Sequence, residues 1–202
     1  KKLNGLEISH LNYSVKYLYS LVNSGNLKEA FNYSRKLEKL KIDSFESNLI
    51  SGIFYLKISD FKKAQKYFLE AKNKNSKFIF NNYLSNSLYN WSSLTNLNQS
   101  IQEIKKSDER FKSLKKIQYA FLNCYFDSPD TKKSFLEITS NEDTDFSRYN
   151  YFFASYLVSM GKTNNAKKII NSALERYPRN LLLNQYKIDL NKNKNVTVFS
   201  CK

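Results

Sequence analysis

Asp60-Phe61-Lys62-Lys63-Ala64-Gln65-Lys66-Tyr67-Phe68-Leu69-Glu70-Ala71 is the stretch on which the fold turns. Phe61, Ala64, Tyr67, Phe68 and Ala71 recur at steps of three and four, which draws one apolar stripe down a helix. Just upstream, Leu49, Gly52, Ile53, Tyr55 and Leu56 make a second stripe at helical spacing. Ser59-Asp60 between them supplies a turn and an N-cap. The segment therefore reads as helix, short turn, helix. The pattern returns downstream in Ala154-Ser155-Tyr156-Leu157, then Gly161-Lys162-Thr163-Asn164-Asn165-Ala166, then Ala173 and Pro178. A frame of 34 residues takes both segments in step and sets units 11–44, 45–78, 79–112, 113–146 and 147–180, with no insertion.

Within that frame the small and apolar residues fall into columns. Position 8 holds Leu18, Gly52, Asn86, Ala120 and Ala154, and position 20 holds Ala30, Ala64, Asn98, Lys132 and Ala166. Position 27 holds Leu37, Ala71, Lys105, Thr139 and Ala173. Units 1, 2 and 5 fit well, while units 3 and 4 degenerate in their second halves. Small side chains at positions 8 and 20 let the first helix (A) and the second (B) of a hairpin approach closely. Larger ones would overpack, at about 1–3 kcal/mol. A lone hairpin cannot bury its stripe on both sides, so neighbours must stack. Gly25 and Gly161 sit at the A-to-B turn, where a left-handed residue ends a helix cheaply, and Pro178 stops the last B helix.

This pattern resembles the tetratricopeptide repeat family, through Gly52, Tyr55, Ala64, Phe68 and Ala71 in unit 2 and Ala154, Leu157, Ala166, Ala173 and Pro178 in unit 5. The resemblance implies an all-α fold, an αα-superhelix or solenoid of about five helical hairpins plus a terminal helix. It also implies a single array over residues 1–190 that binds partner proteins. Residues 181–190 read as the lone first helix of a sixth unit, either a cap or the severed start of more repeats, and their apolar outer positions favour the second. Asn191 to Lys194 breaks that helix, leaving 191–202 as a polar tail or the start of a missing segment. In unit 3 the stripe moves one step, to Leu97, Ile101 and Ile104, which predicts an A-to-B turn one residue shorter. In unit 4, Asp127-Ser128-Pro129-Asp130 is expected to cap a short helix containing Phe135, Leu136 and Ile138. A changed superhelical twist is expected across these two units.

The resemblance places helix A on the concave face, with positions 2, 5, 9, 12 and 13 pointing into the groove. On that reading the partner-binding groove is made by Val15, Tyr19, Leu49, Ile53, Leu56, Phe80, Tyr83, Trp91 and Tyr151. An apolar and aromatic face of this kind marks an interaction site, with Trp91 as a candidate hot spot. The same side chains would equally be core if a tight superhelix or a missing segment covered them. Some family members clamp a partner's C-terminal carboxylate with Lys, Asn and Arg. The corresponding positions here hold Val15, Tyr19, Ile50, Phe80 and Leu84, so that clamp is not expected.

Composition narrows the alternatives. The net charge is +15, with Lys+Arg 33 against Asp+Glu 18. Much of this follows from an AT-rich genome, which over-uses Lys, Asn, Ile, Tyr and Phe; a bacterial source is the expectation. Lys62, Lys63 and Lys66 fall on the outer side of a B helix. They read either as a solvated face or as a basic surface of a membrane-peripheral adaptor, where each lysine adds roughly 1 kcal/mol near anionic lipid. RNA binding, as in the related pentatricopeptide arrays, is disfavoured because the groove lacks the Lys/Arg lining that phosphates need. The 4 glycines are isolated, which leaves no phosphate loop. One histidine, His10, and two cysteines, Cys124 and Cys201, make neither a zinc set nor a disulfide framework. No catalytic residue, cofactor or metal is expected: the sequence reads as a non-catalytic scaffold for protein–protein contacts. No signal-peptide core or membrane-spanning run is present, and cytoplasmic and periplasmic placements both stay open.

Overall fold

The computed structural model describes residues 5, 8, 10–74, 78–141, 143–192, 196 and 198–202. Among them the regular structure is helical throughout: α1 (Leu11–Asn23), α2 (Leu27–Lys39), α3 (Phe45–Lys57), α4 (Phe61–Lys74), α5 (Ile79–Ser92) and α6 (Leu97–Lys105). After a 3-10 turn at Glu109–Phe111 come α7 (Lys112–Tyr125), α8 (Thr131–Thr139), α9 (Ser147–Ser159), α10 (Thr163–Arg176) and α11 (Leu181–Asn191). The A helices start at residues 11, 45, 79, 112, 147 and 181, so the 34-residue frame holds to within one residue. The fold is all-α, a succession of helical hairpins ending in a single helix, as expected.

The A-to-B turn explains the regularity. Gly25, Ser59, Asp127 and Gly161 occupy the same frame position, and all four have positive φ, at 78°, 61°, 52° and 71°. Each closes its helix with two backbone bonds: Gly161 N donates to Val158 O and Lys162 N to Leu157 O, and Gly25 and Asn26 do the same to Val22 and Leu21. This paired closure satisfies carbonyls that the helix end would otherwise orphan. Unit 3 departs from it. Ser93 has φ −123°, and α5 runs on to Ser92. The next helix begins only at Leu97, capped by Asn96, whose side chain accepts from Gln99 N at 2.9 Å. The turn there, 93–96, is one residue longer, not shorter, than the three-residue turns of units 1, 2 and 5, and the shifted stripe goes with a helix that starts late. In unit 4 the short helix expected after Asp127-Ser128-Pro129-Asp130 forms as α8. Ser128 holds the turn, its Oγ accepting from Asp130 N and its carbonyl from Thr131 Oγ1, and Leu136 faces solvent.

The chain divides into two compact units, residues 1–95 and 96–202, and the division falls inside that irregular turn. In the first, Leu18, Leu21, Ala30, Leu37 and Ile50 form a buried core. Ala64, Phe68 and Ala71 of α4 are fully buried. Gly52 lies so close to Phe68 that a Cβ there would sit 2.4 Å from the ring. In the second, Ala120, Phe135, Ile138, Phe153, Ala154, Ala166 and Ile170 are buried together with Leu183, Tyr186 and Leu190 of the terminal helix. The alanines at frame position 20 in units 1, 2 and 5 are 0 % exposed, which is the close helix approach the columns demanded.

A polar clasp recurs in both units and joins one hairpin to the next. Asn48 Nδ2 donates to Asp43 Oδ2 at 3.0 Å, and Lys74 Nζ lies 3.1 Å from the same oxygen. In the second unit Asn150 Nδ2 donates to Asp145 Oδ1 at 2.7 Å, and Arg176 Nε lies 2.6 Å from Asp145 Oδ2. Both clasps use frame position 33 for Asp, position 4 of the next unit for Asn and position 30 for the cation. Burial raises the Asp43 carboxyl, but the Asn48 amide and the Lys74 ammonium outweigh it and hold the pKa below its ordinary value. The sign follows from linkage: a depressed carboxyl stabilises the fold above the unfolded pKa and stops doing so as pH falls through the folded one. Asp43→Asn is therefore expected to destabilise the chain by about 1 kcal/mol at neutral pH, screening by water allowed for. The difference should vanish in urea titrations well below pH ~4, where the wild-type carboxyl is also neutral. An equal difference at both pH values would mean that the charge contributes nothing.

Candidate functional site

The residues of the first unit expected to line a groove lie on α1, α3 and α5. On α1, Tyr19 is 53 % exposed and Val15 half-buried. On α3, Leu49, Ile53 and Leu56 are half-buried. On α5, Phe80 is 53 % exposed and Trp91 half-buried, whereas Tyr83 is buried at 6 % and serves the core. The rigidity behind this face comes from an aromatic ladder that the sequence does not single out. Phe31 stacks on Phe54 at 3.9 Å, and Tyr55 stacks on Tyr67 at 5.5 Å. Burial, followed by the neighbouring Glu38, pushes the Tyr67 hydroxyl pKa up. Tyr67 Oη donates to Glu38 Oε2 at 3.0 Å, and Arg35 also donates to Tyr67 Oη, tying one B helix to the next. Aromatic spacing within helices gives no warning of such contacts, because they join positions of different columns.

The lysines named on the outer side of the B helix, Lys62, Lys63 and Lys66, are exposed or half-exposed. Two are already paired: Lys63 Nζ with Asp60 at 2.8 Å, and Lys66 Nζ with Glu70 at 3.7 Å. Lys63 also lies over the Tyr55 ring, 5.1 Å from its centroid.

In the second unit the equivalent face is occupied. Tyr151 packs edge-on against Tyr186 at 4.9 Å and beside Phe152. The tail then returns across α7 and α9. The Phe199 ring lies 4.5 Å from Phe152 and 6.1 Å from Phe121. Its backbone N–H donates to Ser155 Oγ, and Lys202 pairs with Asp127. Cys201 is bridged to Cys124, with Cα atoms 5.6 Å apart. The expectation that these two cysteines form no disulfide framework is corrected by this bridge. Their separation of 77 residues is immaterial once the tail doubles back over the helix that carries Cys124. Phe121 and Cys124 on α7, and Ser155 on α9, stand at frame positions 9, 12 and 9, which the family resemblance assigns to the groove. The helix break foreseen at Asn191 to Lys194 lies partly outside the described residues, as does Glu142 of the acidic cluster Glu142-Asp143-Thr144-Asp145.

No described helix is long and apolar enough to cross a membrane. No family model and no curated protein matches the chain. Among solved structures it is similar to a thermophilic TPR protein in Thermus thermophilus. The TM-score is 0.64 and the identity 16 %, over 90 % of this chain and 98 % of that one. At that identity the likeness speaks for the fold: the chain has the fold of a tetratricopeptide-repeat protein.

Proposed function

We propose that the chain is a non-catalytic scaffold, one repeat array over residues 1–190, that holds an extended apolar segment of a partner protein on the A-helix face of its first unit. The observation that carries this reading is internal. In the second unit, residues at groove positions hold a non-helical segment of the chain's own tail through a ring, a backbone amide and a bridge. In the first unit, Tyr19 and Phe80 at groove positions stand half-open to solvent. Exposed aromatics beside half-buried aliphatics offer large apolar contact at little entropic cost, as peptide-binding grooves do.

The basic outer surface supports the membrane-peripheral alternative less well, since Lys63 and Lys66 are paired with Asp60 and Glu70. The test is selection of peptides from a phage-displayed random library, followed by affinity measurement. Tyr19→Ala and Phe80→Ala are each expected to weaken the selected peptides about tenfold, and Trp91→Ala by about 2 kcal/mol, while Lys62→Ala leaves them unchanged. Peptides bound equally by all four variants, or co-sedimentation with anionic vesicles that none of the aromatic changes alters, would move the site off this face.

A further inference from the structure

We propose that the A-helix face of the second unit is also a docking site for an extended segment carrying an aromatic residue, and that the tail Val198–Lys202 is its occupant in cis, latched by the Cys124–Cys201 bridge. Reduction of the bridge opens the face to such a segment from another protein. This deepens the reading that the A-helix faces hold partner segments, and rests on it.

The contacts of the tail are few and unequal. Among the described residues the tail is held by Phe199 between Phe121 and Phe152, by one amide donated to Ser155, by one ion pair and by the bridge. In the ion pair, Lys202 and Asp127 have side chains 60 % and 74 % exposed, so water screens it. Val198 is 48 % exposed and Ser200 is open to solvent, while Cys201 packs against the core. The segment has no helix and adds no layer to the array. It lies as a bound peptide would, one ring inserted and one main-chain bond made. What distinguishes it from a permanent part of the fold is that a single covalent bond dominates its attachment.

The bond is reachable. A cleft of about 220 Å3 opens beside it, lined by Tyr156, Met160, Phe199 and both cysteines. Cys124 is 4 % exposed and Cys201 partly buried, and both line the cleft, so Cys201 is the more open half of the bridge. A dithiol reductant supplies the electrons. Its thiolate forms a bond to Cys201 Sγ as the Cys124–Cys201 bond breaks, and Cys124 leaves as a thiolate that takes a proton from water. The second thiol of the reductant then displaces Cys201. The protein gains two electrons and two protons, and the dithiol becomes a disulfide. The freed tail still competes at high effective concentration, so the face opens fully only when Phe199 is also weakened or a partner binds more tightly.

The test uses the full chain and a fluorescein-labelled peptide of residues 196–202 carrying serine in place of Cys201. Hydrogen exchange of the Phe199 amide is followed in the oxidised and dithiothreitol-reduced protein, and peptide binding by fluorescence anisotropy in both states, with and without Phe199→Ala. Exchange is expected to accelerate at least about tenfold on reduction. The peptide should ignore the oxidised chain and bind the reduced Phe199→Ala chain at least about tenfold more tightly than the reduced wild type. Unchanged exchange, or no binding to the reduced Phe199→Ala chain, overturns the proposal. So does a loss of helical circular dichroism on reduction, which would make the bridge a structural staple. Peptides dependent on Tyr19 and Phe80 report on the first unit alone. Their persistence with a negative result here would sink only this inference, and their absence with a positive one only the other.

Discussion

Replacing Phe68 by alanine is expected to destabilise the first unit by about 3–5 kcal/mol, enough to consume much of the stability of a domain of this size. Phe68 is fully buried in α4, and its ring fills the space that Gly52 leaves on α3. Truncation removes the ring's transfer energy and leaves a cavity that two stiff helices cannot close. The reciprocal change carries the same information. Gly52→Ala gains roughly 1 kcal/mol of helix propensity, yet its Cβ would meet the ring at 2.4 Å. The ring is walled in and cannot swing aside, so overpacking of about 1–3 kcal/mol decides the sign and the variant is less stable. The pair should be strongly coupled: in Phe68→Ala the added methyl has room, and Gly52→Ala then becomes neutral or stabilising. Urea unfolding followed by circular dichroism reads all four corners of the cycle. Additive losses would show that glycine at this frame position is there for some reason other than Phe68.

Gly52 and Phe68 also show why the fold is legible in the sequence. Gly52 meets Phe68 across helices A and B of unit 2, and frame position 20 carries the repeated form of such close packing: it holds alanine in units 1, 2 and 5, each time fully buried. The unit boundaries follow: helices change over at residues 45, 79 and 147. Unit 3 misleads for a physical reason. Its stripe at Leu97, Ile101 and Ile104 records which face of the helix is buried, and says nothing of how many residues the preceding turn spends. Only the lack of a left-handed residue at Ser93 marks the difference. The clasps at Asp43 and Asp145 are readable in principle, since Asp, then Asn five residues on, then a cation after 31, occurs at both places. They stay hidden in columns of small and apolar residues, because a polar clasp leaves its mark in charge and not in size. Of the residues expected in the groove, Tyr19 and Phe80 are exposed, whereas Tyr83 lies in the core because α5 turns that side inward. The return of the tail leaves no local trace at all. A segment without periodicity, such as 196–202, has no preferred partner until the helices that receive it are in place.

The bridge that fixes this tail should be worth several kilocalories in equilibrium unfolding. It closes a loop of 77 residues, for which the chain-entropy argument gives about 4.5 kcal/mol of stabilisation at 25 °C, exerted on the unfolded chain. The full value is an upper bound, because a compact denatured state already restricts the loop. The double variant Cys124→Ser, Cys201→Ser removes the cross-link while keeping side chains of similar size. It is expected to lower the unfolding free energy by about 2–4 kcal/mol relative to the oxidised wild type. Wild-type protein kept reduced should match the double variant, since the loss arises from the unfolded state and not from the hydroxyls. The native helices stay formed at 25 °C, because the bridge adds to the buried core of Phe135, Phe153 and Ile170 and does not replace it. Intact-mass measurement after alkylation, with and without reductant, counts the thiols directly. Oxidised protein that alkylates at both cysteines, or a double variant as stable as the wild type, would show that the tail is not cross-linked in solution.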